Sequence, residues 1–413
     1  RLARQTRNGH TMNAHLDLCY GKEVNSLLNI QLEKTKYISL LSDKKDVFES
    51  YKIELMSILT NAYHILSMHK VEESMGNREA AVESLPLANS VSRTSLKLAK
   101  WMSDGDKIGE TPMTKLHFDL ETRRADTGLD EIGVLIHLSA TLSPNLAKTH
   151  YVLGQHILSV AESEQVAQSF KTLLGMEIGP DDANEIVEAM RKSISIVSLA
   201  SRIKEALGRD VMSIESQIGS DGLIPSLWAQ LQQRKMILFS SSIGAFFAFL
   251  IECGRSGEVS SVEVVSSTLQ ILHILVIYSH MHGLESQIYD GFNGTDVKVW
   301  RDILPQLFSR LSHPVKSVRA VIVRLLARIG SSSPHSIVYQ VVVGERSREV
   351  LSDDVFDMEN DEGRTNTHSK ERSSVYECCR ALESSLMEHS PSLLQDVRMF
   401  VDELHRLNMT DER

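Results

Sequence analysis

The sequence predicts an all-α fold, an α-solenoid of stacked helical hairpins, on three observations. In 413 residues there are only 9 prolines and 22 glycines, too few for the many tight turns of an all-β protein. Apolar residues recur at three- and four-residue steps in segment after segment, the period of a helix face. Each segment is too narrow to bury that face alone, so each must stack on its neighbours. The length allows two or three compact domains or one elongated array.

Residues 1–102 read as successive helices: "RLARQTRNGHTMNAHLDLCYG", "NSLLNIQLEKTKYISLLSDK", "VFESYKIELMSILTNAYHILSMHK" and "SVSRTSLKLAKWMSDG". In the third, Ile53, Met56, Leu59, Tyr63 and Leu66 mark one face. Short polar turns between them suggest tetratricopeptide-like hairpins, although no strict 34-residue signature survives. Residues 103–130 carry Gly, Pro, Asp and Thr without periodicity and form the expected connecting loop. A helical solenoid is expected over 131–350, with helices at 131–162 and about 182–207. Pro180, Asp181 and Asp182 supply the second start signal.

After "SDGLIPSL" come two apolar helices, about 226–252 and 261–281. The first contains "MILFSSSIGAFFAFLI", 236–251, which is shorter than the roughly 20 apolar residues a membrane span requires. The second is rich in β-branched residues, which lends weight to a strand. Its length and its Leu269, Leu272, Leu275 and Ile271, Ile274, Tyr278 spacings favour a buried helix. "HSIVYQVVVG" is ambiguous. Residues 351–372 have six acidic residues in their first twelve and predict an acidic disordered insert. Two C-terminal helices follow over 373–410, with Pro391 suited to a first turn.

The clearest pair lies at 300–334. Trp300, Ile303, Leu304, Leu307, Phe308 and Leu311 line one helix, and Val318, Val321, Ile322, Leu325, Leu326 and Ile329 the other. Two matching faces joined by a few residues must meet as antiparallel neighbours. Ser312 or His313 is placed to cap and Pro314 to open the second helix, and Gly330, three serines and Pro334 stop it. Pro305, His313-Pro314 and Val318-Arg319 form a HEAT-like pattern. Trp300, Pro305, Leu307, Phe308, Leu311, Val318, Arg319 and Leu325 are its structural residues. HEAT repeats usually carry a turn aspartate that pairs with this arginine, and none is present here, so the partner of Arg319 stays open.

Residues 300–344 go beyond the generic repeat. Pro305-Gln306-Leu307, Arg310 three residues on, and Pro334-His335 before a short apolar run resemble the C-terminal side of the FAT domain in phosphatidylinositol 3-kinase-related protein kinases. "PQLFSRLSHP" followed by "VR" resembles most the branch acting in nonsense-mediated mRNA decay, as do "RLAR" at 1–4, "LEKTK" at 32–36, "LAKW" at 98–101 and "QDVRMFVDELHRL" at 395–407.

The resemblance implies a non-catalytic scaffold bracing its own kinase domain in cis, in a parent serine/threonine kinase whose ATP- and Mg-binding domain lies beyond Arg413. It further implies accessory subunits, an RNA helicase substrate phosphorylated at Ser-Gln and Thr-Gln sites, and a cytoplasmic and nuclear location. A start at Arg1 within a helix-like stretch fits a part of a longer polypeptide. The alternative is a free-standing HEAT or tetratricopeptide adaptor with no attached kinase.

The chain itself lacks a Gly-rich phosphate loop, His-Arg-Asp, Asp-Phe-Gly, GxSxG, HExxH and Walker A sequences, so no catalytic residue is expected within it. His273, His280 and His282 lack the spacing of a metal site, and no metal is expected. Adjacent Cys378 and Cys379 point to different helix faces and read as core residues. Arg310, Lys316, Arg319, Arg324 and Arg328 form a locally basic set. It reads as solvated faces and inter-repeat pairs, or as an anion patch, since the resemblance admits inositol hexakisphosphate. A net charge of −10 and the absence of aromatics among those arginines argue against direct nucleic-acid binding, and no membrane contact is expected.

Overall fold

The computed structural model describes residues 78–103, 131–163, 165–219, 222–256, 261–281, 283–346 and 365–410, with single helical positions between 26 and 66. Every regular element among the described residues is helical. Two compact units divide at Val160/Ala161. Most of the predicted tetratricopeptide-like region 1–102 and all of the expected connecting loop 103–130 except Ser103, which ends a helix, lie outside the described residues. Of the face expected in 47–70, Leu59 and Leu66 are buried and Tyr63 is half-buried, and Leu55 and Ala62 complete the buried row.

In the first unit α1 (Arg78–Ser103) packs along α2 (Glu131–Leu142), and α3 (Ala147–Glu162) follows. The sequence places the start of α1 at Ser90, and a proline such as Pro86 disfavours a helix interior because it lacks an N–H. The helix nevertheless runs through Pro86, which lies on the exposed side. Small residues set the α1–α2 contact. Ser92 and Ser139 are buried with their hydroxyls 2.9 Å apart, and each donates to the other's carbonyl at 2.8 Å. Thr94 and Ser95 turn their hydroxyls back onto the carbonyls four residues earlier, at 2.8 and 2.9 Å. Buried polar atoms are thus satisfied locally while the backbones approach closely.

The second unit is a run of helices, each packed on its chain neighbours: α4 (Gln165–Ile178), α5 (Pro180–Lys192), α6 (Ile196–Leu207), α7 (Val211–Ile218), α8 (Leu223–Ser256), α9 (Ser261–Ile277) and α10 (Leu284–Gly294). The single helix expected at 182–207 is two helices. Ser193 is extended, and Ser195 caps α6 by accepting the Ser198 N–H. Pro180 takes the first-turn position of α5 with Asp181 and Asp182 beside it, as the sequence predicts. Glycines at positive φ, Gly208 and Gly219, end α6 and α7, a conformation that a Cβ disfavours. The buried Glu215 carboxylate accepts the N–H groups of Gly222 and Ile224 at 3.0 and 2.9 Å, capping α8 from outside its own helix.

α8 is 34 residues long and, by length and composition alone, apolar enough to cross a membrane, longer than the sequence reading allowed. Here its apolar side chains pack on α4, α7, α9 and α10, with Leu231, Phe239, Ile243, Phe246 and Phe249 fully buried. Gly291 of α10 meets the Phe247 ring of α8 so closely that a Cβ would fall inside it. A reciprocal pair reinforces this crossing: Ser240 Oγ donates to Gln287 Oε1, and Gln287 Nε2 donates to Ser240 O, both at 2.8 Å.

The 261–281 segment is a helix, not a strand. Ile271, Leu272, Ile274 and Leu275 are buried, whereas Leu269 faces solvent.

Candidate functional site

The first partner of the HEAT-like pair is not one continuous α-helix. A 3₁₀ stretch, Val297–Ile303, leads into α11 (Leu304–Ser309) and a 3₁₀ turn, Arg310–Ser312. In a 3₁₀ helix residues three apart eclipse, so Val297, Trp300 and Ile303 form one buried ridge, continued by Leu304, Leu307 and Leu311. Phe308 is half-buried, and Pro305 occupies the first turn of α11. Asp296 caps the 3₁₀ stretch by accepting the Lys298 N–H at 2.9 Å.

Trp300 is fully enclosed. Its ring stands edge-on to Phe292 at 4.7 Å and lies 6.3 Å from Phe247, and its Nε1 donates to Thr295 Oγ1 at 2.9 Å.

The second partner is α12 (Lys316–Ser332), which buries Val318, Val321, Ile322, Leu325, Leu326 and Ile329 as expected. Its start differs. Val315 is the N-cap residue and Pro314 lies before the helix, while His313 Nδ1 accepts the Val315 N–H at 3.2 Å. Arg319 also has a partner that the sequence could not supply. Lacking a turn aspartate, it donates to the carbonyls of His313 and Pro314 at 2.6 and 3.1 Å, fastening the turn between the two partners. Gly330 lets Ile337 approach, since a Cβ there would lie 2.6 Å from Ile337 Cδ1.

A 3₁₀ turn, Pro334–Ser336, leads to α13 (Val338–Arg346). The ambiguous "VYQVVV" is therefore helical, with Val338, Val341 and Val342 buried. α14 (Thr365–His389) and α15 (Pro391–Thr410) complete the unit. The last eight residues of the expected insert 351–372 belong to α14, and 351–364 lie outside the described residues.

The predicted basic set does not converge. Arg328 donates to Thr295 O at 2.6 Å and to Phe292 O, placing its charge at the carbonyl end of α10. Arg324 stacks over the Tyr289 ring at 4.9 Å, Arg319 serves the turn, and Arg310 and Lys316 are exposed. Arg319 and Arg328, nine residues apart on one helix and roughly 13 Å along its axis, each have their guanidinium engaged by backbone carbonyls. Sequence reasoning missed Arg301, which donates to Ser333 Oγ and ties the start of the pair to its end.

Cys378 and Cys379 seat on different elements. Cys378 Sγ lies 4.0 Å from Leu311 O and beside Arg319, and Cys379 Sγ occupies the space over Gly344. Burial pushes the Cys379 thiol up to about 12 and the Cys253 thiol up to about 11. Because the thiolate is the reactive form, both thiols stay protonated at pH 8. In a Cys19→Ser background, Ellman's reagent is expected to label native protein at least ~100-fold more slowly than guanidinium-unfolded protein. Fast native labelling of any of the three would contradict this seating.

His273 Nε2 lies 3.1 Å from Glu162 Oε1, His280 is half-buried, and His282 lies outside the described residues. No group of three or more His, Cys, Asp or Glu residues able to hold a metal ion occurs among the described residues.

An ionic network joins the last three helices. Arg346 of α13 pairs with Asp402 of α15, and Arg398 of α15 pairs with Glu383 of α14, with Glu345 at 3.7 Å. The Arg398–Glu383 contact is a charge pair rather than an aligned hydrogen bond. On α15, Leu394 and Val401 face inward. A second row at heptad spacing, Leu393, Val397, Phe400 and Leu404, lies on its flank. The first two of these are half-buried, and Phe400 and Leu404 are 58% and 38% exposed.

No family model matches the chain. It is 31% identical over 287 residues to the serine/threonine-protein kinase smg-1 of Caenorhabditis briggsae, covering 68% of this chain and 12% of that protein. It is 34% identical over 145 residues to the serine/threonine-protein kinase SMG1 of Danio rerio, covering 31% of this chain and 4% of that protein. Serine/threonine-protein kinase tor1 of Schizosaccharomyces pombe matches at 24% over 153 residues, 37% of this chain and 6% of that protein. The chain thus spans about an eighth or less of the length of these curated relatives. With its all-helical hairpins and its FAT-like 300–344 unit, the chain belongs to the phosphatidylinositol 3-kinase-related protein kinase family as a FAT-region segment of the SMG1 type, with TOR kinases as more distant relatives.

Proposed function

We propose that this segment is a non-catalytic scaffold within a large serine/threonine kinase of nonsense-mediated mRNA decay, bracing the kinase domain in cis. The parent enzyme would bind ATP and Mg outside this segment, phosphorylate an RNA helicase at Ser-Gln and Thr-Gln sites, carry accessory subunits, and work in the cytoplasm and nucleus. Kinship with kinases supports the parent activity.

The observation that carries the bracing role is the flank of α15. A row of apolar residues at heptad spacing, on a helix tied to its neighbours by the Arg346–Asp402 and Arg398–Glu383 pairs, offers Phe400 and Leu404 to a packed neighbour. Phe400→Asp with Leu404→Asp in the intact parent protein is expected to lower Ser-Gln peptide phosphorylation by roughly tenfold without unfolding this segment, because a buried charge disrupts such a contact. Unchanged phosphorylation would count against bracing through this face. Capture from cells with an antibody against 300–344 tests the parentage. A polypeptide several times longer than 413 residues with that activity supports it, whereas a short, inactive one indicates a free-standing adaptor.

A further inference from the structure

We infer that the apolar row on the flank of α15 is the seat of an amphipathic helix from a part of the same polypeptide outside residues 1–413, packed alongside α15 as a two-helix seam. This narrows the in-cis contact proposed above and rests on it. The row runs Leu393, Val397, Phe400, Leu404 and Leu407, in alternating steps of four and three residues, the spacing at which one helix lies along another at a shallow angle. Phe400 and Leu407 are 58% and 63% exposed.

α15 is covered on one side only. It packs on α13 and α14, and among its described residues it buries Leu394 and Val401 alone. α12, which packs on both α10 and α14, buries seven of its 17 residues. In a stack held by nearest-neighbour contacts, a helix that closes the stack needs a polar outer face. The outer flank of α15 is apolar instead, as on a helix that has a neighbour there.

The size of the row decides between a separate partner and a tethered one. Its exposed part is roughly 400 Å², taking about 200 Å² for each residue when whole, or about half of the ~800 Å² per side that a stable complex of separate chains buries. A second copy of this chain or a free protein therefore gains too little from the row to stay bound. A helix in the same polypeptide meets it at an effective concentration on the order of millimolar. The Caenorhabditis briggsae relative has ample chain to supply such a helix, since the match covers 12% of that protein.

The test places the photocrosslinker benzoylphenylalanine at Phe400 of the intact parent protein and, as a control, at the exposed Gln395, which lies about 140° away around the helix. Irradiation at Phe400 is expected to join it to a peptide of the same polypeptide outside residues 1–413 whose apolar residues recur at three- and four-residue steps. The control should give about tenfold less of that product. Leu404→Asp and Leu407→Asp, each with the circular dichroism of the wild type, should also lower the yield about tenfold. Unchanged yield in both would overturn the inference. Mixing ordinary and heavy-nitrogen protein shows whether the join lies within one chain. Joined peptides carrying both labels would overturn the inference in favour of a second copy, and a peptide from another protein would do so in favour of a separate partner. A peptide without helical apolar spacing, or no join at Phe400, would overturn it outright. Phosphorylation keeps this result apart from bracing. A helix joined in cis while the Phe400 and Leu404 variants phosphorylate normally sinks bracing alone, and lost phosphorylation without such a join sinks this inference alone.

Discussion

Trp300→Ala is expected to destabilise the second unit by about 3–5 kcal/mol, the usual cost of emptying a fully buried tryptophan site. The physical reason is the convergence of two helices and the link between α10 and the 3₁₀ stretch on one ring. Phe247 comes from α8, Phe292 from α10, the 3₁₀ stretch supplies Trp300 itself, and Thr295 takes its N–H. In an array stabilised by nearest-neighbour contacts the loss should be local first. Hydrogen exchange should therefore rise over α10 and α12 before it rises over α5 and α6. Trp300→Phe keeps most of the ring volume and gives up the bond to Thr295. Thr295 Oγ1 still donates to Phe292 O at 3.1 Å, so a cost of about 1–2 kcal/mol is expected. Chemical denaturation followed by far-UV circular dichroism checks both values. A Trp300→Ala loss under about 1 kcal/mol would mean that the ring does not organise this junction.

Arg398→Met should cost about 3 kcal/mol, because it strands the Glu383 carboxylate, whose side chain is only 10% exposed, without its cation. The figure sits at the low end of the range for buried pairs because Arg398 itself is 36% exposed. The double variant Arg398→Met with Glu383→Gln removes the stranded charge and is expected to recover more than half of the loss. A double-mutant cycle measured by urea denaturation separates this coupling from lost packing. Additive losses would show that Arg398 acts through its aliphatic stem alone.

The class of fold was legible from the sequence, and so was much of the 300–334 pair. Helical periodicity is a local property, and Val318, Val321, Ile322, Leu325, Leu326 and Ile329 bury as their spacing requires. Family kinship was legible as well, because Pro305-Gln306-Leu307, Arg310 and Pro334-His335 are local strings. Element boundaries were less so. Pro86 lies inside α1, Ser193–Ser195 splits a helix, and a 3₁₀ stretch begins the pair. At Ser195 and Asp296 the break is made by a side-chain cap, a local signal that apolar periodicity does not register.

The basic set marks the deeper limit. Its five members lie within 19 residues of sequence and are similar in charge, yet the structure gives Arg319 to its own turn, Arg324 to Tyr289 and Arg328 to the end of α10. Three or four residues of spacing determine which side of a helix a guanidinium leaves from. For Arg324 and Arg328, which carbonyl or ring waits there depends on a neighbour some thirty residues away. By itself the sequence determined that this protein is a stack of helices of a particular kinase family. Only the tertiary structure decided which charges are spent inside the stack and which apolar rows remain at its surface, because long-range packing sets desolvation and hydrogen-bond partnership, and periodicity does not encode it.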